Sequence, residues 1–111
     1  MNARLQVTEL ALLSVRVGQG TAFEAAFAGV SHLLASAQGQ IRHRLVPSVD
    51  QPQVYLLEVE WADLAAHVET FEPGAGHAVF MAALAPFLTA EPYVIHVPSL
   101  REPDGSPQSA G

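Results

Sequence analysis

Two stretches of this 111-residue chain, residues 9–17 and 53–61, are apolar on both faces that an extended strand presents. Side chains alternate along a strand. In the first stretch Ala11, Leu13, Val15 and Val17 share one face, while Leu10 and Leu12 take the other. In the second, Tyr55, Leu57, Val59 and Trp61 stand opposite Val54 and Leu56. A sheet built from such strands needs cover on both sides. The chain has room for one core and not for two domains, and its two helical stretches suffice for one side only. The simplest cover for the second side is the sheet of another copy. The alternative is that these apolar residues are tolerated at the surface.

The segments between these strands define a topology. Gly18-Gln19-Gly20 breaks the first strand, and Thr21-Ala22-Phe23-Glu24 predicts a helix opened by a capping box. Phe23, Phe27, Val30, Leu33, Leu34 and Ala37 form its apolar stripe, and Gly39 is expected to end it. A second strand is predicted over 40–46, then a turn from Pro47 to Pro52 that leads into the third. Asp63 is expected to cap a short helix reaching Phe71, and Glu72-Pro73-Gly74 interrupts it. A further helix over 77–84 presents Phe80, Met81 and Leu84, and Pro86 ends or bends it. The last strand covers 93–98. This β-α-β-β-α-β order is the split βαβ pattern of an α+β, ferredoxin-like fold with an antiparallel sheet. It predicts one domain over 1–98 and a disordered tail over 99–111, which has no apolar period.

Centring the turn between the second and third strands near Gln51 predicts a register. Arg44 then lies opposite Glu58 and Arg42 opposite Glu60, as cross-strand charge pairs. Ile41, His43 and Leu45 lie opposite Trp61, Val59 and Leu57, which places His43 on the same apolar side as Trp61.

Charge and absent residue types narrow the chemistry. A formal charge of −6 argues against nucleic acid and anionic membranes as partners. No apolar run approaches the roughly 18–20 residues that span a bilayer, and residues 1–6 lack the layout of a secretory signal. A cytoplasmic location is the expectation. With no Cys, disulfides, thiolate catalysis and Cys-ligated zinc are excluded. All basic residues are Arg, which removes Schiff-base chemistry and a P-loop. No GxGxxG, HExxH or GxSxG occurs. His43, His67 and His77 are candidates to converge, but no HxH or HxxxH pair fixes two ligands on one element, so no metal is expected.

The segment Tyr55-Leu56-Leu57-Glu58-Val59-Glu60-Trp61, followed by Ala65-Ala66-His67 and Phe71, resembles the antibiotic biosynthesis monooxygenase domain. Phe80, Leu84, Pro86-Phe87, Pro92 and His96 are also placed as in that family, so the resemblance spans roughly residues 10–97. It implies a dimeric α+β barrel, two ferredoxin-like sheets packed face to face, with a pocket between each sheet and its own helices. Some members oxygenate phenols, anthrones or quinols without metal or flavin, and others degrade haem.

Carried onto this chain, the resemblance makes Trp61 a pocket wall and puts His67 where cofactor-free members place a proton-handling Tyr. Leu57 stands where they carry a hydrogen-bonding Asn, and their helix-borne Arg has no counterpart between Arg44 and Arg101. Haem degradation fits poorly, because Phe80 and Met81 occupy the helix that bears the iron-binding His in those relatives.

The leading expectation is a cofactor-independent monooxygenase acting on a small aromatic, phenolic or quinol-type substrate, with no cofactor. His67 and His43 are the acid/base candidates, and Trp61, Leu57, Phe71 and Phe80 the substrate-binding ones. A lone His among apolar residues is also often a plain core residue, and Trp61 a plain core aromatic. His77 reads as solvated, and His96 as facing the partner sheet. The alternative function is a non-catalytic ligand-binding or structural dimer. Oxygen consumption separates the two.

Overall fold

The computed structural model describes residues 5–99. β1 (Val7–Ser14) leads to helix α1 (Gly20–Ala35), β2 (Gln40–Pro47) and β3 (Val54–Trp61). A π-helical segment (Ala66–Phe71), helix α2 (Ala75–Leu84), one 3-10 turn (Ala85–Phe87) and β4 (Tyr93–Pro98) complete the order. The strands pair antiparallel in the order β2-β3-β1-β4, the ferredoxin-like α+β arrangement. Among the described residues no helix is long and apolar enough to cross a membrane.

The core lies on the helix-covered side of the sheet. Ala11, Leu13 and Val15 of the first strand region and Leu57, Val59 and Trp61 of β3 pack beneath Phe23, Phe27 and Leu34 of α1 and Phe80 and Leu84 of α2. Trp61, Val59 and Phe23 are fully buried. The outer side carries Leu12, Ile95 and Tyr93, which are 45%, 42% and 65% exposed. Directly paired residues of antiparallel strands share a side. The pairs Glu9↔His96 and Ala11↔Val94 therefore turn His96 and Val94 toward the helices. This reverses the expectation that His96 faces a partner sheet.

The predicted register holds at the charged pairs: Arg42 reaches Glu60 at 3.0 Å and Arg44 reaches Glu58 at 2.6 Å. Both arginines are well exposed, so these pairs contribute little net stability and act chiefly on alignment. His43 and Leu45 pair with Val59 and Leu57 as expected. The register shifts between Gln40 and Arg42, however, and Gln40 takes the place opposite Trp61. Ile41 is the extra residue of this bulge and is 42% exposed.

Three local expectations are corrected. β1 ends at Ser14, Val15 makes only an isolated bridge to Leu88, and Val17 lies exposed. No capping box forms at Thr21, because the helix already begins at Gly20 with Gln19 at its N-cap; Glu24 instead accepts a 2.6 Å hydrogen bond from the Tyr55 hydroxyl. The phenol of β3 is the competing donor for the same carboxylate. Gly39 does not end α1, which stops at Ala35 with the Ser36 amide bonded to the His32 carbonyl. Gly39 adopts φ +88°, and its carbonyl accepts from the Ala62 amide at 2.7 Å where the chain turns into β2. A Cβ there would lie 2.5 Å from that of Ala66, so this crossing admits only glycine without a shift.

Asp63 acts as expected, its Oδ1 accepting from the Ala66 amide at 2.9 Å. The helix it opens is wider than an α-helix: the Glu72 amide bonds to the His67 carbonyl at 2.8 Å, an i→i+5 closure. The expectation for the tail falls outside the described residues except at Ser99, whose amide donates to the Gln6 carbonyl at 3.1 Å.

Candidate active site

Between α2, the π-helical segment and the sheet lies a cavity of about 500 Å³. Its walls are mostly apolar, with Leu13, Leu57, Phe71, Phe80, Leu84 and Val94 among them. Glu9, His67, Glu72, His77 and Glu91 supply the polar part of the lining. Three arrive from regular elements, Glu9 from β1, His67 from the first turn of the π-helical segment and His77 from α2, while Glu72 and Glu91 lie in the connections that follow the π-helical segment and precede β4. The sequence places Glu9 on the same face as Ala11, Leu13 and Val15, so β1 carries a carboxyl into the core side.

His67 is the hub. It is 3% exposed, and its ring stacks on Trp61 with centroids 5.0 Å apart and planes within 16°. Its Nδ1 lies 2.8 Å from His96 Nε2, so one of these nitrogens donates and the other accepts. Its Nε2 sits between two carboxylates, 3.4 Å from Glu9 Oε1 and 3.5 Å from Glu72 Oε2. The Trp61 indole N–H donates to Glu9 Oε1 at 3.0 Å, which ties β3, β1 and the π-helical segment together.

Burial sets the proton balance. It pushes the Glu9 carboxyl up from 4.5 to about 7, against the Trp61 hydrogen bond and with help from the negative charge of Glu72. It holds the His67 imidazole down from 6.5 to about 4, and the neighbouring His96 and His77 act in the same direction. Near neutral pH the imidazole is uncharged and the carboxyl is balanced between its two forms. Burial thus favours the uncharged form of both groups, the carboxylic acid at Glu9 and the free base at His67.

His67, Leu57, Phe71 and Phe80 come together at the cavity as the sequence suggested. Trp61 lies behind His67, fully buried, and supports the site without lining the cavity. His43 is not brought to it. That side chain bonds Gln40 Oε1 at 2.8 Å, meets the Phe27 ring edge-on and opens into a separate cleft with Glu24 and Tyr55. Its pKa is lowered by burial. His77 is part of the lining, packed edge-on against Phe71 with centroids 5.3 Å apart. Glu9 and His96 are the groups that sequence reasoning missed. The available signal was the parity of Glu9, a carboxyl in line with three apolar core residues. Among the described residues no set of three or more His, Asp or Glu side chains is arranged to hold a metal ion.

Comparison with known proteins places these features in a family. Residues 6–83 match the family model described as antibiotic biosynthesis monooxygenase. The chain is 33% identical over 90 residues to the uncharacterized protein YczJ of Bacillus subtilis strain 168, spanning 81% of this chain and 95% of that one. A Bordetella bronchiseptica structure assigned to the same family superposes with a TM-score of 0.82 at 26% identity, covering 87% of this chain and 99% of the other. SnoaB of Streptomyces nogalater, a cofactor-independent oxygenase, superposes with a TM-score of 0.69 at 25% identity, covering 82% and 91%. The chain belongs to the antibiotic biosynthesis monooxygenase family.

Proposed function

We propose that the protein is a cofactor-independent monooxygenase acting on a small aromatic, phenolic or quinol-type substrate held in the cavity beside His67. The observation that carries this reading is the cavity itself: about 500 Å³, apolar over most of its wall, with a buried carboxyl and a neutral imidazole in its lining. That volume suits a small organic ligand, and Phe71, Phe80 and Leu57 offer flat apolar contacts to a ring. The likeness to a cofactor-independent oxygenase supports the same reading.

Triplet dioxygen reacts slowly with closed-shell molecules, so an electron-rich substrate must first lose a proton and then donate an electron. A dry pocket with a tuned proton acceptor favours that first step. For an activated methylene, CH2 and O2 become C=O and H2O. One oxygen atom enters the product, the other leaves as water, and the carbon supplies every electron. His43 opens into a different cleft and takes no part in this reading.

The test is oxygen uptake with a panel of anthrones, catechols and quinols. Turnover by the wild type, with one O2 consumed per product and a loss of at least tenfold in His67→Ala, is the expected result. Binding of panel compounds without oxygen uptake would leave a ligand-binding protein instead. An unchanged His67→Ala would remove His67 from the site.

We also propose that the outer sheet face packs against that of a second copy. Leu12, Tyr93 and Ile95 are exposed there beside half-buried Leu10 and Leu56, a strip suited to a two-fold, self-complementary contact. Sedimentation is expected to give a dimer for the wild type and a monomer for Leu12→Glu. A monomeric wild type refutes it.

A further inference from the structure

The geometry points to Glu9 as the group that takes the substrate's proton and returns it to the departing oxygen, with His67 and His96 as positioning residues for its carboxyl. This inference rests on the monooxygenase reading above. Three observations carry it. Glu9 lines the cavity although only 7% of its surface is exposed, so substrate is the partner it can still meet. Its Oε1 carries both contacts, from Trp61 Nε1 at 3.0 Å and His67 Nε2 at 3.4 Å, which leaves Oε2 for the substrate. The imidazole of His67, by contrast, has both nitrogens engaged, Nδ1 by His96 and Nε2 between Glu9 and Glu72.

The polar groups around the carboxyl are the Trp61 indole N–H of β3, His67 of the π-helical segment, Glu72 just after it, His77 of α2, Glu91 and, behind His67, His96 of β4. Of these the Trp61 N–H favours the ionised carboxyl and Glu72 opposes it. The described arginines are engaged elsewhere: Arg16 with the Pro86 carbonyl, Arg42 with Glu60 and Arg44 with Glu58. No fixed cation among them holds Glu9 ionised, and burial brings it to about 7. A carboxyl balanced near neutrality works in both directions.

The proton path closes for an activated methylene. Glu9 carboxylate takes one C–H proton, and the carbanion gives an electron to O2. The resulting radical pair combines to a peroxide anion on the carbon. Glu9 returns its proton to the peroxide, giving a hydroperoxide, and its carboxylate then takes the second C–H proton as the O–O bond breaks to leave C=O and hydroxide. The hydroxide takes that proton from Glu9 and leaves as water. The carboxylate is restored, with no net proton exchanged with solvent.

The experiment uses the chain's single tryptophan as its reporter. The Trp61 indole N–H donates to Glu9, so its NMR signal reports the carboxyl's charge in the absence of substrate. A titration centred near pH 7 in the wild type and absent in Glu9→Gln is expected. An indole signal that titrates below pH 5, or is indifferent to Glu9→Gln, overturns the inference. With substrate, Glu9→Gln is expected to lower kcat at least a hundredfold with KM within threefold. Glu9→Asp should retain part of the rate with a displaced acidic limb. His67→Gln should shift the pH profile more than KM. Turnover by Glu9→Gln at the wild-type rate and pH profile removes this role alone. No turnover by the wild type removes the monooxygenase reading and this role together.

Discussion

Gly39→Ala tests how the site is held up from behind. Gly39 has φ +88°, a left-handed conformation that costs an L-residue about 1–2 kcal/mol. Its new Cβ would stand 2.5 Å from the Cβ of Ala66, the residue before His67, and overpacking of this kind costs about 1–3 kcal/mol. The lower entropy of the unfolded alanine chain offsets roughly 0.4–1 kcal/mol. The net loss is then about 1–5 kcal/mol, centred near 3 kcal/mol, out of the roughly 5–15 kcal/mol that holds a domain folded. Gly18→Ala is the matched control. Gly18 has φ +77° but nothing within 4 Å of its Cβ position, so only the backbone cost of about 1 kcal/mol applies. Urea unfolding measures both, and the Gly39 variant should melt at a midpoint about 2 M lower. Adding Ala66→Gly removes the opposing methyl and should show a favourable coupling of about 1–2 kcal/mol in the double-mutant cycle. Equal losses in Gly18→Ala and Gly39→Ala, or zero coupling to Ala66, would refute the argument that this contact sets the position of the His67 segment.

Stability should also depend on pH in a way that single substitutions uncover. Glu9, raised to about 7 when folded, contributes stability fully below its unfolded value of 4.5 and loses it as pH rises to 7. His67, lowered to about 4, costs nothing above 6.5 and progressively more as pH falls toward 4. Between pH 4.5 and 6.5 these two slopes oppose each other and nearly cancel. Glu9→Gln should lose stability on acidification in that window, and His67→Gln on alkalinisation, each by up to about 1.4 kcal/mol per pH unit. The lowered pKa of His43 adds a common slope, so the difference between the variants is the readout. Parallel curves for the two would contradict the assignment of the proton to Glu9. Tyr55→Phe should keep the ring's packing on Phe23 but lose the hydrogen bond to Glu24, at a cost of about 1 kcal/mol in urea unfolding. An equally stable Tyr55→Phe would show that solvent serves Glu24 as well.

The sequence made the sheet legible because each strand's two parities and one turn overdetermine the pairing. Arg42 and Arg44 could meet Glu60 and Glu58 in only one register once the turn was centred near Gln51. The parity of β4 was different, since alternation separates Tyr93, Ile95 and Val97 from Val94 and His96 without saying which set faces the helices. Only the pairing of Glu9 with His96 decides it. His43 lies on the expected side of the sheet but opens into a cleft separate from the cavity beside His67. It sits on β2 and His96 on β4, the two edges of the order β2-β3-β1-β4, about 14 Å apart across three strand spacings. Local pattern also misled at Glu24, where a capping motif yielded to a hydroxyl from 31 residues away. Each miss turned on a partner distant in sequence.

The i→i+5 closure of the 66–71 segment makes chain length a determinant of the site's charge. In an α-helix residues five apart are turned about 140° from one another. The wider turn instead brings Glu72 within 3.5 Å of His67, where its negative charge also acts on Glu9. A one-residue deletion within this segment would leave the pair four apart, still on one face of an ordinary α-helix, whereas a one-residue insertion would put them six apart and swing that carboxylate away from the cavity. The affinity of Glu9 for its proton therefore depends on the spacing of this segment, and an insertion there retunes it with every side chain at the site unchanged.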